Sequence, residues 1–96
     1  MVTMADMRSR RDEILHIVAE HGGQDLRVFG SVLRGDATEG SDVDLLVRLD
    51  SDRSLVDHIA LKHDLEDILG QKVDLVTEEA LHFLIRDRIL REAVAI

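Results

Sequence analysis

The chain contains no cysteine, which excludes disulfides, thiolate nucleophiles and cysteine-based zinc sites and suits a reducing compartment. Tyrosine and tryptophan are also absent and only two phenylalanines occur, so the aromatic platforms on which unpaired bases stack are missing. Basic residues are the minority. Twelve lysines and arginines stand against 20 aspartates and glutamates, a formal net charge of −8, so we expect no stable binding to nucleic acid. A basic partner, or metal ions that offset local carboxylates, fits that balance better. No apolar run approaches the length of a membrane span, and the N-terminus lacks a charged start followed by an apolar block and cleavage site. We therefore expect a cytoplasmic protein without membrane association. Its 96 residues predict a single domain over 1–96 with no room for a second. A domain of that size buries roughly 60 to 65% of the surface its unfolded chain exposes, enough for one modest core.

What is present concentrates between residues 28 and 50. A short apolar run ends in Gly30-Ser31, a polar segment bearing Gly35 and Gly40 follows, and a second apolar run opens with Asp42 and Asp44. In a strand, alternate side chains share a face, so Asp42 and Asp44 stand together while Val43, Leu45, Val47 and Leu49 line the opposite side. At about 3.3 Å of rise per residue their Cα atoms lie roughly 6.5 to 7 Å apart, near enough to converge on a hard cation such as Mg²⁺. Without a cation each carboxylate raises the cost of ionising the other. Gly30-Ser31 supplies the complementary half: glycine allows close approach of backbone to a ligand, and free N–H groups at a starting helical turn can hold phosphate oxygens. The Ser31 hydroxyl adds a further bond. Arg34, one turn on, either faces the same phosphates or fixes the loop by pairing with a carboxylate. Ser41 either holds the loop through backbone or contacts substrate.

Around this frame the periodicity predicts a helix over 4–21 with Met7, Ile14, Leu15 and Val18 inward, ended by Gly22-Gly23. Strands are predicted over 25–30, 42–50 and 72–76, with a helical turn over 31–36 and a loop over 35–40. Residues 54–69 predict a helix with Leu55, Ile59, Leu65, Ile68 and Leu69 inward, Ser54 as its cap and Gly70 past its end. In the third strand Asp74 points opposite to Val73 and Leu75, so it joins Asp42 and Asp44 if the strands are neighbours. Residues 77–96 predict one helix. Its apolar stripe, Leu81, Leu84, Ile85, Ile89, Leu90 and Val94, is broader than one core needs, and Arg86, Arg88 and Arg91 lie among it; part of this helix is therefore a candidate partner surface. His16 and His21 read as surface or boundary residues, and His58 and His63, five apart, share no helix face. Alternating strands and helices argue an α/β domain.

Gly30-Ser31, ten residues, then Asp42-Val43-Asp44 resembles the signature of the DNA polymerase β-type nucleotidyltransferase superfamily. Phe29-Gly30-Ser31, Arg34-Gly35, the run Ser41 to Leu46 and the later Leu69 to Val76 resemble, more narrowly, the minimal nucleotidyltransferases, or MNT proteins, from about residue 10 to the C-terminus. The resemblance implies a nucleotidyltransferase fold, a small mixed β-sheet with helices mainly on one side. It makes Asp42, Asp44 and Asp74 the catalytic and Mg²⁺-binding residues and places Gly30, Ser31, Arg34 and Ser41 at the nucleotide, with ATP as substrate. MNT proteins are commonly paired with HEPN-type ribonuclease toxins, so the implied function is an antitoxin that transfers AMP to a hydroxyl, by family analogy a tyrosine, of that toxin. Two alternatives stand beside it: a non-catalytic antitoxin that silences its toxin by stoichiometric binding, and an adenylyltransferase of small molecules. The assemblies admitted are a homodimer through the C-terminal helix or a hetero-oligomer with the partner.

Overall fold

Residues 23–29 and 43–49, the two central apolar runs, pair antiparallel as strands β1 (Gly23–Phe29) and β2 (Val43–Leu49), with Phe29 opposite Asp44 and Gly23 opposite Leu49. The computed structural model describes residues 1–96. Strand β3 (Val73–Thr77) lies parallel to β2, Val43 facing Val73 and Asp44 facing Asp74. Parallel neighbours need a crossover, and helix α4 (Leu55–Leu69) supplies it. A two-residue strand, β4 (Val94–Ala95), adds to the far side of β1 and completes a mixed sheet in the order β3-β2-β1-β4. The α/β class predicted from the sequence is the class observed. No helix is long and apolar enough to cross a membrane.

One face of the sheet carries the main core. Leu26, Val28, Val43, Leu45, Val47, Val73 and Leu75 pack there with Met7, Ile14, Val18, Leu61 and Leu65 from the helices. The predicted helix over 4–21 is in fact two, α1 (Met4–Ser9) and α2 (Arg11–Glu20), because Arg10 leaves the helical region at φ −111° and ψ 20°. Its guanidinium donates to the carbonyl of Ile68 at the end of α4 and pairs with Glu13, so the break satisfies an orphan carbonyl of another helix. Thr3 and Asp6 form a capping box that starts α1, with bonds of 3.1 and 2.9 Å. In α4 the inward face is carried by Leu61 and Leu65, supported by Ile68 and Leu69. Leu55 and Ile59, predicted inward, are 71% and 45% exposed, because the helix is turned so that His58, Leu61 and Leu65 face the sheet, His58 reaching the Leu75 carbonyl from the first turn.

The second face holds a smaller cluster, Phe29, Leu46 and Ile89, with Val76, Leu81, Leu90 and Ala93 against it. Here the single helix predicted over 77–96 is corrected. A 3-10 turn (Glu78–Ala80) follows β3, Leu81 and His82 are extended, α5 spans Phe83–Glu92, and the chain then returns as β4. The edge of β1 offers unpaired backbone groups, and Val94 and Ala95 satisfy part of it opposite Val28 and Arg27. Apolar spacing could not reveal that competition. One consequence is that α5 crosses the sheet face on which the even-numbered residues of β2 stand.

Candidate functional site

Strand alternation puts Asp44 on the second face with Leu46, and the parallel register sets Asp74 directly beside it. Asp42 lies one residue before β2 begins and is exposed, whereas Asp44 is half-buried. Burial, then the neighbouring charges of Asp74 and Asp42, push the Asp44 carboxyl up to about 6; Glu92 adds to the rise and Arg34 opposes it. The three aspartates singled out in the sequence are thus electrostatically one group.

Across from Asp44, β1 ends and α3 (Gly30–Arg34) begins. Phe29 is extended and offers no side-chain cap, and Gly30 sits at φ +74°, a left-handed conformation that any side chain would strain. A Cβ at Gly30 would also collide with Oδ2 of Asp44. Glycine is therefore required twice, for the turn and for the carboxylate packed on it. Ser31 occupies the first turn, half-buried, and its carbonyl accepts from the N–H groups of Gly35 and Asp36, which closes α3 after barely one turn.

Arg34 takes the second of its two anticipated roles in this structure. Its Nε reaches Asp36 at 3.4 Å and its Nη1 reaches Glu92 at 3.1 Å. Those two carboxylates raise its pKa, Asp36 the more. Ser41 likewise holds its loop: Oγ accepts from the Thr38 N–H at 2.9 Å, and its carbonyl accepts from Nε2 of Gln71. Glu92 and Gln71 were not legible as site residues. Glu92 reads as one more acid on a helix face until α5 is seen to cross the sheet, and Gln71 reads as loop until the parallel register sets it beside Ser41.

The groups beside Asp44 able to ligate a metal, Asp42 and Asp74, are carboxylates, the oxygen donors that hard cations prefer. No three acidic or histidine side chains close a metal cage by themselves. Mg²⁺ at nucleotide sites is held by one or two carboxylates with substrate phosphates and water completing the shell, so an open carboxylate group beside a glycine turn fits a metal that arrives with its nucleotide. The histidines are engaged elsewhere: His58 Nε2–H donates to the Leu75 carbonyl at 2.7 Å, and His21 meets Asp64 at 2.7 Å.

A glycine turn facing paired carboxylates on a mixed sheet defines a nucleotidyltransferase. The profile of the family described as nucleotidyltransferase domain matches residues 11–96, and the chain belongs to that family, among its minimal nucleotidyltransferases. MntA of Thermococcus cleftensis, a protein adenylyltransferase, is 45% identical over 76% of this chain and 74% of its own. A Methanocaldococcus jannaschii protein, MJ0435, provisionally named a protein adenylyltransferase, is 43% identical over 85% of this chain and 88% of its own. A solved structure provisionally described as a minimal nucleotidyltransferase superposes with a TM-score of 0.88 at 45% identity, covering 99% of this chain and 97% of that one. A toxin–antitoxin crystal structure with AMP-PNP has the same fold, with a TM-score of 0.73 at 20% identity, over 86% of this chain and 68% of that one.

Proposed function

We propose that this nucleotidyltransferase transfers AMP from ATP to a hydroxyl of a partner protein, a tyrosine of a HEPN-type toxin, and thereby acts as its antitoxin. The observation that carries the reading is Asp44, pressed against Gly30 and flanked by Asp42 and Asp74 on neighbouring backbone. Similarity to MntA, and the shared fold of the toxin–antitoxin structure, support the protein acceptor and the antitoxin role.

In this reading the N–H groups of the Gly30-Ser31 turn and the Ser31 hydroxyl hold the β- and γ-phosphates, and Arg34, whose Nε and Nη1 are held by Asp36 and Glu92, donates its remaining Nη2 to the same oxygens. Ser41 keeps the loop before Asp42 in place. Asp42, Asp44 and Asp74 would hold Mg²⁺, which when bound neutralises the triphosphate and polarises the α-phosphate. The acceptor oxygen forms a bond to the α-phosphorus while the bond from that phosphorus to the bridging oxygen of the β-phosphate breaks. Pyrophosphate leaves on the Gly30-Ser31 side. The hydroxyl proton passes to Asp74 and then to water.

Labelled ATP and Mg²⁺ with a co-expressed HEPN-type toxin test this. Label on the toxin that is lost in Asp42→Asn/Asp44→Asn supports the enzyme. If the double mutant still binds and silences the toxin and the wild type transfers no label, neutralisation is by stoichiometric binding. The exposed Phe83 and Leu84 of α5 are the feature that favours that second reading.

A further inference from the structure

Beside the carboxylates, on the flank away from Gly30-Ser31, lies a cleft of about 370 Å³ between the loops 39–42 and 70–72. Of the surface clefts it is the one that includes a site carboxylate, Asp42, and no hydrophobic side chain lines it. Its position follows from the register. Because β2 and β3 are parallel and Val43 faces Val73, both loops enter the sheet at the same end, the end at which antiparallel β1 delivers Gly30. Across that end the glycine turn of β1 lies on one side of Asp42 and Asp44, and the cleft lies on the other, between the loops that enter β2 and β3, with Lys72 two residues before Asp74.

The cleft is held in shape. Gln71 spans it, its Nε2 donating to the Ser41 carbonyl while its Oε1 accepts from the Val2 N–H at 2.8 Å. Lys72 lies on its wall, exposed, and is in no ion pair, although the chain carries acids in excess. Displacement at phosphorus is in line, with attacking and leaving oxygens on opposite sides. With pyrophosphate leaving over Gly30-Ser31, the nucleophile has to arrive from the β3 flank, where the cleft opens.

We propose that this cleft seats the acceptor: an extended polar segment of the partner protein, its hydroxyl turned toward Asp74 and an acidic side chain next to it meeting Lys72. The inference rests on the nucleotide orientation given under Proposed function. It adds a substrate requirement, a hydroxyl residue flanked by an acid, that the nucleotide site alone does not impose.

Gly40 permits a direct test, since a Cβ there meets nothing within 4 Å and its backbone is outside the left-handed region. A Gly40→Trp side chain can fill the cleft without straining the turn. Wild type, Gly40→Trp, Lys72→Gln and Lys72→Glu are compared for labelled AMP transfer to the co-expressed HEPN-type toxin and for affinity toward Mg-AMP-PNP, with melting temperatures as the folding control. We expect kcat/KM for the toxin to fall about tenfold or more in Gly40→Trp, as displaced substrates do. Lys72→Glu raises the KM for the toxin about tenfold and Lys72→Gln raises it less, as expected of a charge contact. Affinity for Mg-AMP-PNP stays within about twofold throughout, because the nucleotide lies on the other flank. Folded Gly40→Trp and Lys72→Glu proteins that transfer like a labelling wild type overturn the cleft and leave the reaction standing. Loss of Mg-AMP-PNP affinity in Gly40→Trp also overturns it, since the cleft would then be nucleotide pocket. A wild type that labels no toxin overturns the proposed reaction itself, and this inference with it.

Discussion

Asp44 is ionised at a cost to the fold. The folded chain keeps its proton up to about pH 6, while the unfolded chain releases it near the ordinary 3.8. Between those values the folded state binds more protons, so this residue makes stability fall as pH rises through the window. For a half-exposed group, solvent screening leaves about 1 kcal/mol. Asp44→Asn is therefore expected to lose transfer activity and yet unfold at higher denaturant at pH 8, an advantage gone at pH 3.5; urea titrations at both pH values decide it. Gly30→Ala behaves oppositely. The left-handed backbone and the collision with Asp44 make it cost about 2 kcal/mol or more in the same titration, and it also displaces the carboxylate. Both residues were legible in the sequence as a glycine turn and an alternating carboxylate pair. Their mutual contact was not, because it depends on the pairing of Phe29 with Asp44.

Elements show where local pattern stops being informative. Buried positions of α4 and exposed ones are both leucine or isoleucine, and only the rotational setting of the helix against the sheet separates them. Leu65→Ala should cost about 2 to 5 kcal/mol through the cavity it leaves, and Leu55→Ala within about 0.5 kcal/mol of nothing; chemical denaturation of the pair checks the assignment. Helix α5 is the sharper case. Its apolar residues fit a helix, but Ile89 alone is buried while Phe83 and Leu84 are 76% and 75% exposed, and its last residue, Glu92, reaches Arg34. Glu92→Gln should change stability by less than about 1 kcal/mol, as for other exposed pairs, and raise the KM for Mg-ATP several-fold with kcat little altered, because Arg34 loses one of two carboxylates that hold it. Phe83→Glu/Leu84→Glu should leave melting unchanged and abolish co-purification of the toxin, placing the partner surface on the outer half of α5.

Over the whole molecule the α/β class and the Asp42–Asp44 pair follow from alternation and spacing, while the strand order and Asp74's place beside that pair come only with the family resemblance and the register. The break at Arg10, the return of β4 and the cover supplied by α5 follow from neither. Each of these is settled by a distant group, the Ile68 carbonyl, the β1 edge and the Phe29–Leu46 face, and single-sequence periodicity carries no term for a partner elsewhere in the chain.

The parallel pairing of β2 with β3 sets a timetable as well as a geometry. Gly30, Asp42 and Asp44 can meet as soon as a local hairpin-like pair closes, but Asp74 joins them only after the whole of α4 has crossed over, and Glu92 later still. Non-local closures of this kind are slow steps. In refolding, transfer activity should accordingly recover after the helical signal has returned, so a freshly made chain passes through a compact interval in which it cannot yet react.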